Sequence, residues 1–108
     1  MANTFKSNVA ANIVTTGNTV YTCPSATQTT LIGLTLSNKS AGTVTANVYV
    51  TRSAVDYSII SNAPIPTGST LVPIGGDQKV VLQAADVLKV TTSANGSLDV
   101  IASLLEIA

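Results

Sequence analysis

The chain is predicted to be all-β: one antiparallel β-sandwich of jelly-roll or immunoglobulin-like type. Three observations lead there. Apolar residues recur with a period of two along most of the sequence. Turn signals rich in Gly, Pro, Asn and Ser return at intervals of about ten residues. The length of 108 residues and an apolar content of 45% suffice for one core without metal or disulfide staples.

Phe5, Val9, Ala11 and Ile13 alternate with Lys6, Asn8 and Asn12 as far as the turn Thr16-Gly17-Asn18, which reads as a first strand, although Phe5, Val9 and Ile13 also fit helical i+4 spacing. Residues 1–8 are expected to be an N-terminal arm that orders on a partner, and residues 9–108 the sandwich domain. A short strand, Thr19 to Cys23, stops at Pro24, which has no N–H for a ladder. Residues 28–37 place Ile32, Leu34 and Leu36 on one side. Residues 43–52 alternate Val44, Ala46, Val48 and Val50 with Thr43, Thr45, Asn47, Tyr49 and Thr51. With "SNKSAG" between them, these two segments are expected to form a hairpin.

Val55, Tyr57 and Ile59 resume the alternation. "SNAPIPTGSTLVPIGGD" holds three prolines and three glycines, which suits an edge, a crossover between sheets or a projecting loop, not a central strand. "KVVLQ", "DVLKVTT" and "SLDVIASLLEI" complete the set, the last two joined at Asn95-Gly96, a strong hairpin signal. "VLQAADVL" and "SLLEIA" have helical propensity, but they sit within alternating runs and lack helix caps.

Charge is the main anomaly. Only 9% of residues are charged, against about 25% in an ordinary soluble domain, and the net charge is zero. No cation cluster is available to displace counterions from nucleic acid, and no basic face suits a membrane-surface helix. The single cysteine, Cys23, excludes an intrachain disulfide. The N-terminal stretch lacks a cationic region followed by an apolar one, so synthesis in a cytoplasm without a cleaved signal is expected.

Reaction chemistry has little to stand on. With no histidine, serine–histidine and cysteine–histidine catalysis are excluded. Cys23 has no cationic neighbour to activate it and reads as a small buried hydrophobe. Asp77 and Asp86 are better suited to closing turns than to binding calcium. Gly75-Gly76 lacks the remainder of a phosphate loop. Tyr21, Tyr49 and Tyr57 have the chemistry to stack on sugars, but half-buried strand positions account for them more simply. No catalytic, cofactor or metal residue is assigned.

A sheet surface of Thr, Ser and Asn lacks the charges that keep β proteins apart, and such side chains hydrogen-bond across interfaces without the desolvation penalty of ions. The interface is therefore assigned to Phe5 in the arm, to Thr45, Asn47 and Tyr49 on the polar strand face, and to Pro64, Ile65, Pro66, Gly75 and Gly76 in the Pro/Gly loop.

Over residues 19–107 the chain also resembles small virion structural proteins of tailed bacteriophages, especially cyanophages. The phrases that carry this are "PSATQTT" entering a strand, "APIPTGSTL", "GGDQKVVL", Ala85-Asp86 where Gly-Asp is expected, and the terminal "LEI". The resemblance implies a non-enzymatic homo-oligomeric virion protein, made in the host cytoplasm. The partners expected are the major capsid protein or other virion proteins, with neither nucleic acid nor membrane; the resemblance does not say which virion component the chain is, and capsid decoration or cementing is the role expected. The alternatives are a neck, tail or baseplate component, or a fibre-borne glycan-binding module. Small size and the absence of a trimerising stalk or paired aromatics favour a structural role, in capsid, neck or tail, over the glycan-binding module.

Overall fold

The computed structural model describes residues 3–75 and 79–108. Nine strands and no helix occur among them: β1 (Asn3–Ala10), β2 (Asn18–Thr22), β3 (Gln28–Asn38), β4 (Val44–Arg52), β5 (Val55–Ile65), β6 (Thr70–Ile74), β7 (Val80–Leu82), β8 (Val87–Thr92) and β9 (Leu98–Ile107). Sheet A runs β1-β9-β3-β6, with β7 also paired to β3; sheet B runs β2-β8-β4-β5. All pairings are antiparallel. β6 and β7 occupy successive stretches of one flank of β3 and together act as one interrupted strand. Counted that way, eight strands lie in jelly-roll order, with consecutive strands in opposite sheets except for the β4–β5 hairpin.

Alternation produces the core directly. Leu34 and Leu36 of β3 and Val100, Ala102 and Leu104 of β9 meet Ala46 and Val48 of β4 and Leu88 and Val90 of β8, all at most 1% exposed. Fully burying one such aliphatic side chain contributes about 1.5–3 kcal/mol, so these positions dominate the stability of the sandwich.

Three expectations about turns and strand register change. Residues 28–37 and 43–52 are not a hairpin, because β3 lies in sheet A and β4 in sheet B. The linking segment is a corner held by Asn38, 2% exposed. Its Nδ2 donates to the carbonyls of Gly42 at 2.9 Å and Ile65 at 2.8 Å, and its Oδ1 accepts from the Ser40 N–H at 2.9 Å and hydroxyl at 2.7 Å.

The Asn95-Gly96 turn likewise crosses between sheets, from β8 to β9. Gly96 has φ 75° but Asn95 is not left-handed, so the two-residue turn with both φ positive is not formed. Instead Asn95 Oδ1 accepts from the Thr15 N–H at 2.7 Å and the Gly96 N–H donates to the Ile13 carbonyl at 3.0 Å.

The third change is in β3. A bulge between Leu31 and Gly33 shifts the alternation, so Leu31 is buried with Leu34 and Leu36 while Ile32 is only partly covered. The Pro/Gly-rich segment falls where expected, on two edges and the crossover between them: β5 ends at Ile65 and β6 begins at Thr70.

Residues 3–8, expected as an arm, are paired within the chain. β1 lies along β9 from Asn3↔Ile107 to Ala10↔Val100, so the expected boundary at residue 8 falls inside a strand. None of the β1 residues is buried. The anchor follows it: Ile13 is 0% exposed, and its N–H donates to the Leu98 carbonyl at 3.0 Å.

Candidate assembly surface

The two sheets present unlike outer faces. On sheet B, the outward residues Thr45, Asn47 and Tyr49 of β4 lie in line and are half-buried, and Thr45 is the cross-strand partner of exposed Pro64. The structure therefore joins four of the sequence-assigned residues on one face. Their polar groups are partly engaged within the chain. Asn47 Nδ2 donates to Thr91 Oγ1 at 3.0 Å and its Oδ1 accepts from the Asn62 N–H at 2.8 Å, pinning the irregular part of β5 where Asn62 has φ 51°. The Thr45 N–H donates to Ser93 Oγ at 3.0 Å. Tyr49 leans over Gly17, where an added Cβ would come within 3.6 Å of its hydroxyl.

The other assignments separate. Ile65 is 1% exposed and belongs to the core: as the cross-strand partner of buried Val44, it points inward from the end of β5. Pro66 is exposed in the crossover and Gly75 is half-buried after β6. Gly76 and Asp77 lie outside the described residues. Phe5 is 77% exposed, on the opposite side of the molecule from Tyr49.

Around Phe5 is a feature the linear pattern does not reveal. Lys6 and Asn8 point inward, Lys6 to Glu106 at 3.5 Å and Asn8 Nδ2 to the Val20 carbonyl at 3.1 Å. Phe5, Ser7 and Val9 therefore face out. Register then assembles rows across sheet A: Phe5–Leu105–Thr30–Val81, Ser7–Ser103–Gly33 and Val9–Ile101–Thr35. Val9, Ile101 and Val81 are 69%, 51% and 57% exposed. None of the ten residues is charged.

Charged groups are instead spent on internal ties. Asp86, 1% exposed, accepts a forked pair of bonds from Arg52, Nε to Oδ1 at 2.9 Å and Nη2 to Oδ2 at 2.5 Å, and also the Gln83 N–H at 2.8 Å. Its carboxyl is held below the ordinary range, chiefly by the Arg52 bonds. This is the turn-closing role expected of it. Asp99 is likewise held low by Lys39 at 3.0 Å and by the Asn12 N–H at 3.1 Å.

Tyr21, 4% exposed, donates to Glu106 at 2.5 Å and lies 2.8 Å from Thr29 Oγ1. Burial, then the bond to Glu106, pushes its phenol upward. Cys23, 1% exposed, sits beside Thr29 Oγ1 at 3.3 Å. No group of three Cys, Asp or Glu capable of holding a metal occurs among the described residues. A cleft of about 240 Å³ opens between β5 and β7, lined by Tyr57, Ile59 and Val80; its one cation, Arg52, is committed to Asp86.

Strand order defines a single-domain jelly-roll sandwich. No known family model matches the chain, and no curated protein is significantly similar to it in sequence. Solved structures do share the fold. One, from Bacillus endospore appendages described as a family of disulfide-linked pili, superposes with a TM-score of 0.55 at 11% identity over 100% of this chain and 91% of its own. Another, from the T13 IBDV viral particle, superposes with a TM-score of 0.51 at 9% identity over 96% of this chain and 30% of its own.

Proposed function

We propose that the chain is a non-enzymatic structural subunit of a virion, acting as a capsid decoration or cement protein that holds its neighbours through sheet faces. The observation that carries this reading is the set of exposed apolar side chains, Phe5, Val9, Val81 and Ile101, that register gathers among small uncharged residues on the outer face of sheet A, whose one charged β9 residue, Asp99, is paired to Lys39 at the end of the strand. Monomeric proteins rarely expose contiguous apolar patches of this kind, and such patches mark interaction surfaces. The ten charged side chains do little to offset it, since six of them are consumed in three ion pairs. Both structural neighbours named above are assemblies of repeated subunits, a pilus and a viral particle, which agrees with a building-block role. A disulfide-linked assembly does not suit this chain, whose one cysteine is buried, so its contacts are non-covalent.

Cryo-electron microscopy of the particle that carries the chain, with copy number from gel densitometry, tests the proposal. Many copies arrayed on the head are expected. Six or twelve copies would move the chain to the neck or tail, and a chain absent from purified particles would overturn the reading.

A further inference from the structure

We infer that the outer face of sheet A is a homotypic docking surface, on which a second copy of this chain packs its own sheet A face to face. The inference rests on the building-block reading above and names the partner and the surface.

Three features point to a second copy. The first is self-complementarity. The face consists of an apolar row through Phe5 and Leu105, a row of small residues through Ser7 and Ser103, and an apolar row through Val9 and Ile101. A two-fold axis lying in the interface, either along the small-residue row or along the strands, brings apolar rows opposite apolar rows. A closed isologous pair needs that match; the three rows themselves carry no charge, and Asp99, beyond the last row, is neutralised by Lys39 at 3.0 Å.

The second is area. β1, β9 and β3, with 8, 10 and 11 residues, and the interrupted flank of β6 and β7, with 5 and 3, give a face of roughly 600 Å² at ordinary strand spacing, three quarters of the ~800 Å² per partner of a standard interface. Sheets pack face to face in this manner at about 10 Å separation.

The third is that the edges of sheet A are guarded while its face is not. Inward-pointing charges, prolines and shortness are the devices that stop edge pairing. Lys6 points inward from β1, Pro73 interrupts β6, and β7 has three residues. Association through added strands is blocked where association through the face is open.

Multi-angle light scattering on the full chain, over a wide dilution range, tests this. The wild type is expected to show the mass of two chains, not the 10.9 kDa of one. Val9→Glu and Ile101→Lys change exposed side chains, so each is expected to keep the wild-type circular dichroism and melting profile while weakening the dimer about tenfold or more. Thr45→Glu, on the other sheet, is expected to leave the dimer intact.

A wild type that is monomeric throughout, or a dimer indifferent to Ile101→Lys, overturns the inference. Particle incorporation is scored separately. A monomer that still joins particles through this face, to a different protein, removes the homotypic contact and leaves the structural role standing. A chain that neither dimerises nor joins particles removes both.

Discussion

Ala85 carries the clearest local strain in the molecule. Its φ of 72° is left-handed, a region that costs an L-residue roughly 1–2 kcal/mol, and the resemblance to phage proteins led to an expectation of glycine there. Backbone bonds on both sides fix the turn: the Ala85 N–H donates to the Cys23 carbonyl at 2.9 Å, and the Asp86 N–H to the Gln83 carbonyl at 3.0 Å. Ala85→Gly should relieve the strain and lose part of the gain to the freer unfolded chain. A net stabilisation of about 0.5–1 kcal/mol is expected in urea denaturation, and an unchanged or lower midpoint would count against the strain.

Ionisation limits stability from both sides. The Asp86 and Asp99 carboxyls are lower in the folded state than the ordinary value. Their contribution is therefore present above about pH 3.9 and disappears as pH falls through the depressed folded values. Tyr21 is raised, so its contribution is present below about pH 10 and lost as pH climbs past that point. Denaturant midpoints against pH should describe a dome. Asp86→Asn is expected to flatten the acid limb and Tyr21→Phe the alkaline limb; a limb that keeps its slope in its variant would locate the titration elsewhere.

At the scale of elements, the turns show where sequence and structure part. Asn95-Gly96 looks like a hairpin and is a corner. The tight hairpin is β4–β5, where Ser53 and Ala54 have φ values of 52° and 64° between the paired residues Arg52 and Val55. Ser-Ala carries none of the usual signal for that two-residue turn, so nothing local announced it. Ser53→Asn with Ala54→Gly matches the residues to the geometry and should stabilise the fold by about 1–2 kcal/mol, read as a rise in thermal midpoint.

β1 raises the opposite question, since a strand with no buried residue contributes little to the core. Removal of residues 1–10 should leave a cooperatively folded domain of reduced stability. Ile13→Ala, which empties a fully buried site, should cost about 2–5 kcal/mol. A truncated chain without a cooperative transition would show β1 to be essential.

Over the whole molecule, period-two alternation made the strands and most of the core legible in the sequence, because inward and outward positions differ chemically. Strand partners were not legible. A jelly-roll sends most consecutive strands to opposite sheets, here all but β4 and β5, and the signals that would say so, the Asn38 staple and the Ser97 hydroxyl 2.9 Å from Thr92 Oγ1, read as ordinary turn residues. The same cause hid the apolar face. Phe5 and Val9 on β1, Val81 on β7 and Ile101 on β9 come from distant segments and share a face only through the register of sheet A. The sequence pointed to Tyr49 and Asn47 because their strand alternates cleanly; the structure shows Asn47 holding β5 in place, so Asn47→Lys tests folding as much as assembly.

β9 lies between β1 and β3 in sheet A, yet it is the last strand of the domain to be synthesised. Until it emerges, β1 has no partner and β3 lacks its longest one. The sandwich is therefore closed after translation of the domain, not during it, and the apolar rows of sheet A, all of which include a β9 residue, come into existence only at that moment. The timing itself keeps incomplete domains from docking, because the surface that would recruit a neighbour is completed only by the last strand of the domain.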